Sequence, residues 1–75
     1  MKYYQIDLIS PGPAKLQVIK IVKETTELGL EAAKYLVDVC PSMIIITSNR
    51  TKARKCAKLL REAKATIKSF IITIN

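Results

Sequence analysis

The sequence contains no histidine and no tryptophan, and it has only two cysteines and two glycines. Without histidine, a tetrahedral zinc site would need more thiolates than two cysteines supply. Neither thiol has an imidazole partner to activate it as a nucleophile. Gly12 and Gly29 are too far apart in the sequence to form a loop that cradles phosphate. No metal and no cofactor is therefore expected.

Acidic residues are also few, and none is paired with another at a spacing that suggests acid–base chemistry. The six carboxylates are spread along the chain: Asp7, Glu24, Glu27, Glu31, Asp38 and Glu62. Together with the missing histidine, this distribution predicts a binding module rather than an enzyme.

Long apolar runs and an N-terminal signal segment are missing as well. No run approaches the roughly 20 residues that a membrane-spanning helix needs, and Met1-Lys2 leads directly into a patterned strand. Cys40 and Cys56 do not make a disulfide framework, so both are interpreted as reduced thiols. These features predict no membrane partner and a reducing compartment, either the cytoplasm or an organelle interior such as a plastid.

The charge of the chain is uneven along its 75 residues, which predict a single domain spanning 1–75. Residues 1–41 hold five basic and five acidic side chains, whereas residues 42–75 hold eight basic side chains and one acidic. The whole net charge of +7 therefore lies in the second half. Such asymmetry indicates either an anionic partner or a solvated helix face.

Hydrophobic periodicity in the first half predicts one strand and two helices. Tyr4, Ile6 and Leu8 alternate with polar neighbours, as in a half-buried strand. From Ala14 the spacing becomes helical, and Gly29 suits either the helix exit or the turn after it. A second helix is predicted from about Leu30 to Val39. The first helix has the apolar stripe Leu16, Ile19 and Val22, widened by Val18 and Ile21, and the second has Leu30, Ala33, Leu36 and Val37.

The second half predicts a strand, a helix and a final strand. Met43–Ile46 is a short apolar run rich in β-branched residues. Asn49 can cap a helix from Arg50 to Lys64, and Thr66 to Ile74 is the last strand. The third helix has the apolar face Ala53, Cys56, Ala57 and Leu60. The order β-α-α-β-α-β predicts an α+β fold, a three-stranded and mainly antiparallel sheet with helices packed on one face.

One stretch resembles a known family. Lys15–Lys23 is KLQVIKIVK and Thr26–Leu30 is TELGL, followed by Ala33-Lys34, Val37 and Pro41. This pattern resembles the C-terminal domain of the bacterial-type ribosomal stalk protein, without gaps from Tyr4 to about Ser69. The resemblance implies the same β-α-α-β-α-β fold.

The resemblance also implies a function and a surface. In that family the domain recruits translational GTPases to the ribosome through its first two helices, so these GTPases and the ribosome are the implied partners. Exposed aliphatic side chains would anchor the partner and lysines would orient an acidic one. The matching positions are Val18, Ile19, Lys20, Lys23, Leu30 and Lys34. From the pattern alone, Ile19 could equally belong to the core and Leu30 could pack the helix corner.

The sequence departs from the family pattern in several places. Glu31-Ala32 stands where the family has Lys-Glu, which reverses a charge in the implied contact surface, and Lys64 replaces a glycine. The family's N-terminal dimerisation domain and hinge are not in the sequence. A stand-alone relative of the domain is therefore expected.

Two alternatives remain. Arg50, Arg54, Lys58 and Arg61 form one stripe on the third helix, with Lys55 beside it, and could bind RNA phosphates without strong sequence preference. A weaker alternative is a protein similar to the Clp protease adaptor, which resembles this fold. The last strand is apolar on both faces, so residues 70–74 are expected either to extend the pairing within the sheet, for example with Met43–Ile46, or to form a homodimer.

Overall fold

The computed structural model describes residues 1–75 and has the predicted order of elements, β-α-α-β-α-β. The helices and strands are β1 (Lys2–Ser10), α1 (Lys15–Thr26), α2 (Leu30–Asp38), β2 (Ser42–Thr47), α3 (Arg50–Glu62) and β3 (Thr66–Thr73). The α+β class is therefore confirmed.

The sheet has the order β2-β1-β3, and both of its pairings are antiparallel. In the centre, Ile6 lies opposite Ile45 on β2 and Ser69 on β3. The expected pairing of the last strand within the sheet is found, but Met43–Ile46 is not its partner, because β1 separates the other two strands. β3 instead pairs with β1 along its whole length, from Ser10↔Thr66 to Lys2↔Thr73.

The core lies between the sheet and the helices. Ile6 and Leu8 of β1 are buried, while the alternate residues Gln5, Asp7 and Ile9 are only partly covered. This difference follows from the two-residue period of a strand with helices on one face. The register shifts on β2 between Ile45 and Met43, and the extra residue allows Ile44 and Ile45 both to be buried.

Two helices end in left-handed residues that are not glycine. Glu27 has φ 59° and donates its N–H to the carbonyl of Lys23, which ends α1. Gly29, with φ −65°, lies in the turn that follows and precedes α2. Of the two roles expected for Gly29, the turn is therefore the one adopted.

The end of α3 has the same feature at Lys64, which has φ 66°. The N–H of Lys64 donates to Arg61 O at 2.9 Å, and that of Ala65 donates to Leu60 O at 3.0 Å. This pair of bonds is a Schellman motif, whose left-handed position is usually glycine because a side chain is strained there.

Gly12 packs directly against this helix end. It has φ 70°, and a Cβ atom built on it would lie 2.3 Å from the carbonyl oxygen of Lys64. The turn after β1 therefore depends on the missing side chain of Gly12.

We expect Gly12→Ala to lower the free energy of unfolding by about 2–4 kcal/mol, because the added methyl group meets backbone in a strained conformation. Urea unfolding measures the change. Gly29→Ser is the control, since no atom lies within 4 Å of a Cβ built there and its φ is unstrained. Equal losses in the two variants would contradict this role for Gly12.

We expect Lys64→Gly to raise the free energy of unfolding by about 0.5–1 kcal/mol, because glycine adopts the left-handed conformation without steric cost. Thermal unfolding followed by circular dichroism measures this. Lys58→Gly, inside α3, should instead lose about 1 kcal/mol. A loss at both positions would show that the left-handed Lys64 is not strained.

Candidate functional site

The first two helices form an antiparallel hairpin held at its open end by an ion pair. Nζ of Lys15, at the start of α1, lies 2.6 Å from Oδ1 of Asp38, at the end of α2. Both side chains are about half exposed, so the pair contributes little stability, on the order of 0–1 kcal/mol. It does show that the starting turn of α1 and the last turn of α2 share one face.

On α1, an exposed stripe consists of Leu16, Lys20 and Lys23, which are spaced i, i+4, i+7. Leu16 is 84% exposed, more than any other large hydrophobic residue in the chain. A leucine so exposed, with lysines one and two turns further along, provides an apolar contact flanked by positive charge.

On α2, Leu30, Lys34 and Asp38 follow one line at i, i+4, i+8. Leu30 is 55% exposed, so it does not simply pack the helix corner. Because Asp38 bonds to Lys15, this line borders α1. Glu31 is exposed beside Leu30 and adds negative charge to the same helix.

The expectation of exposed aliphatic contacts is wrong for two positions. Val18 is 0% and Ile19 only 6% exposed, and both belong to the core cluster. The physical reason is that α1 presents Val18, Ile19, Ile21 and Val22 to the interior, so this face has no accessible surface left. Ile19 therefore has the core role that the pattern had left open.

Leu16 was expected in the apolar stripe of α1 and instead lies at the surface. Its spacing from Lys20 and Lys23 was the feature of the sequence that could have predicted its exposure. The spacing from Ile19 and Val22 suggested the core equally well, because five aliphatic residues in α1 make a stripe wider than the interior can accept.

The basic stripe on α3 borders a groove of about 600 Å³. Arg50, Arg54, Lys58 and Arg61 line one side of it, all exposed as predicted. A neighbouring face of α3 is buried, as predicted, through Ala53, Cys56, Ala57 and Leu60.

Lys55 is separated from the other four residues of the proposed nucleic-acid set. It lies with Lys52 in a second cleft, between α3 and the end of α1, whose lining includes Glu24 and Glu27. Lys52 and Lys55 thus have carboxylates nearby, whereas the residues lining the first groove include none.

The two thiols lie inside or under the helical layer. Burial raises the pKa of the Cys56 thiol, partly opposed by a hydrogen bond with the Thr25 side chain. Burial also raises the pKa of Cys40, whose Sγ lies 3.0 Å from the carbonyl oxygen of Val37. Neither thiol is therefore activated for nucleophilic chemistry.

These raised pKa values predict how stability depends on pH. The folded chain keeps thiol protons that the unfolded chain loses above about pH 8.5, so the free energy of unfolding falls as pH rises beyond that value. We expect Cys56→Ala to reduce the slope of this decline between about pH 8 and pH 10, as measured by urea unfolding. An unchanged slope would contradict burial of the Cys56 thiol.

No three side chains of the metal-binding types His, Cys, Asp and Glu come together. No helix is both long enough and apolar enough to cross a membrane. Two surfaces are therefore the candidate binding sites: the α1–α2 hairpin and the outer flank of α3.

This geometry defines a class of small α+β domains that present a helical hairpin on a three-stranded antiparallel sheet. Residues 4–69 match the family described as "Ribosomal protein L7/L12 C-terminal domain". The chain belongs to this family.

Relatives in several bacteria have similar sequences. Large ribosomal subunit protein bL12 of Macrococcus caseolyticus is 39% identical over 64 residues, which is 85% of this chain and 53% of that protein. The bL12 proteins of Staphylococcus saprophyticus and Streptomyces antibioticus are each 41% identical over 64 residues, covering 52% and 50% of their lengths. The chain thus spans about half the length of these relatives.

Proposed function

We propose that this domain is a ribosome-associated binding module that recruits translational GTPases through α1 and α2, and that it is not an enzyme. The observation that carries the proposal is the pair of exposed leucines, Leu16 and Leu30, flanked by Lys20, Lys23 and Lys34 on the hairpin. Membership of the L7/L12 C-terminal family supports it.

The physical role of each group is distinct. The leucines lose water-exposed apolar surface when a partner covers them, which favours binding by roughly 25 cal/mol per Å². The lysines attract and orient an acidic partner and chiefly increase the association rate. Val18 and Ile19 support the helix from below, because both lie in the core.

The family match gives no support to the two alternatives, RNA binding through α3 and a Clp adaptor function. Self-association remains a separate prediction. The outer edge of β3 has no strand partner, and Ile71 and Ile74 are exposed. A homodimer through residues 70–74 is therefore tested by sedimentation at increasing protein concentration.

We expect the triple variant Lys20→Glu, Lys23→Glu, Lys34→Glu to weaken binding to a purified translational GTPase at least about tenfold, because an acidic partner would meet repulsion. Biolayer interferometry measures the affinity. The control, Lys2→Glu, Lys58→Glu, Lys68→Glu, changes net charge equally at exposed positions outside α1 and α2. Equal weakening in both triples would mean that net charge alone, not this surface, determines binding.

Two single variants separate the apolar and electrostatic parts of the same surface. Leu16→Ser should weaken binding with little effect on stability, because Leu16 buries almost nothing in the free domain. Glu31→Lys should strengthen binding by restoring a positive charge beside Leu30. Tighter binding by Leu16→Ser, or weaker binding by Glu31→Lys, would overturn the assignment of roles.

A further inference from the structure

The groove on the outer flank of α3 has an apolar floor. Its floor is made by Ile6 and Tyr4 of β1, Ala53 and Ala57 of α3, and Ile71 of β3. Ile71 is 67% exposed, although its pairing with Tyr4 places it on the face of the sheet that carries the helices. That face of β3 is therefore left partly uncovered.

One wall of the groove is purely basic. Arg50, Arg54, Lys58 and Arg61 rise along α3 in steps of about 6, 6 and 4.5 Å. The only ion pair of the structure is Lys15 with Asp38 on the hairpin, so these four cations have no carboxylate partner. Like charges at i, i+4 repel, and an anionic occupant would relieve that repulsion.

We propose that this groove binds an acidic amphipathic α-helix of another protein, laid beside α3 and over β3. Its apolar stripe would cover Ile71 and Tyr4, and carboxylates at i, i+4, i+8, i+11 would face the four cations at matching intervals. Two packed helices lie about 8–10 Å apart. A helix at that distance from α3 would lie over β3, where Ile71 is exposed. This is helix-in-groove recognition with charge complementarity along one side.

A second copy of the chain does not fit this groove. Its α2 offers only Glu31 and Asp38, with Lys34 between them, and Asp38 is already paired with Lys15. Its α1 has a single acidic residue, Glu24. Neither helix presents the row of carboxylates that the basic wall requires.

An RNA strand uses the floor less well than a helix. Base stacking needs aromatic platforms. Phe70 lines the edge of the groove, but its pairing with Gln5 places its ring on the alternate face of the strand. Tyr4 is then the one aromatic side chain directed to this side, beside aliphatic Ile6, Ala53 and Ile71. These aliphatic groups gain from apolar side chains, which phosphates and sugars do not provide.

The groove is independent of the hairpin surface. The cleft with Lys52 and Lys55 lies on the side of α3 that faces α1, and the groove lies on the other side. Ile71 also lies beyond residues 4–69 that match the family. The inference therefore does not rest on the proposed recruitment of GTPases.

The test uses a fluorescent peptide of about six helical turns with leucines on one face and glutamates at i, i+4, i+8, i+11. Fluorescence anisotropy should show saturable binding to the full chain. Arg54→Glu with Lys58→Glu should weaken it about tenfold or more. Arg50→Glu with Arg61→Glu is an independent pair with the same expectation, and all four side chains are exposed, so the fold is retained.

The matched control is Lys52→Glu with Lys55→Glu, on the same helix and with the same change in charge. It should weaken binding less than about threefold, and Ile71→Ser should weaken it about fivefold. Equal weakening by the control pair, or no binding at all, would overturn the proposal. A peptide of the same composition with its leucines spread around the helix should bind at least about tenfold more weakly, and equal affinity would likewise overturn it.

Competition identifies the occupant. The acidic peptide should displace single-stranded RNA and vesicles of anionic phospholipid, and neither should displace the peptide at equal concentration. If RNA or vesicles bind more tightly than the peptide, with the same sensitivity to Arg54→Glu and Lys58→Glu, the occupant is that ligand and the proposal is overturned. The Lys20→Glu, Lys23→Glu, Lys34→Glu variant should bind the peptide within about threefold of the unchanged chain, which separates this result from failure of GTPase recruitment.

Discussion

Everything in this domain depends on β1 as the central strand. It pairs with β2 on one side and β3 on the other, and its Ile6 and Leu8 provide the buried surface on which the helices pack. β2 and β3 have no pairing with each other, so without β1 there is no sheet. The same arrangement brings the chain ends together, where the Met1 backbone and Ile74 exchange hydrogen bonds of 2.8 and 2.9 Å.

Because the core fills one side of each helix, it also decides which side chains remain available for binding. The buried face of α1 consists of Val18, Ile19, Ile21 and Val22, which leaves Leu16, Lys20 and Lys23 exposed. On α3 the interior takes small residues such as Ala53 and Ala57, so the helix lies close to the sheet and its basic stripe stands at the edge of the floor. The packing of the core therefore determines which side chains form the hairpin surface and which form the groove beside α3.

The sequence predicted α3 much better than α1, and the difference is physical. In α3 charged residues alternate with alanine, cysteine and leucine at helical spacing, so only one face can be buried and the exposed stripe follows. In α1 Leu16, Val18, Ile19, Ile21 and Val22 span more than half the helix circumference, and periodicity cannot tell which of them the sheet covers. That ambiguity placed Leu16 in the apolar stripe, whereas the surface positions expected for Val18 and Ile19 came from the family resemblance. Strand order was also beyond prediction, because alternation identifies a buried face but not a neighbour.

The distribution of charge explains why two binding surfaces can coexist on 75 residues. Cations near α1 and α2 have acidic neighbours, such as Asp38 beside Lys15 and Glu24 beside Lys52. The groove on the outer flank of α3 is lined by four cations and no carboxylate, and their field extends about a Debye length, roughly 8 Å in physiological salt. The buried layer of Val22, Cys56 and Leu60 lies between the two surfaces. Coupling between the two surfaces would require a second packing state of this layer, because a ligand shifts an equilibrium only by its differential affinity for two states.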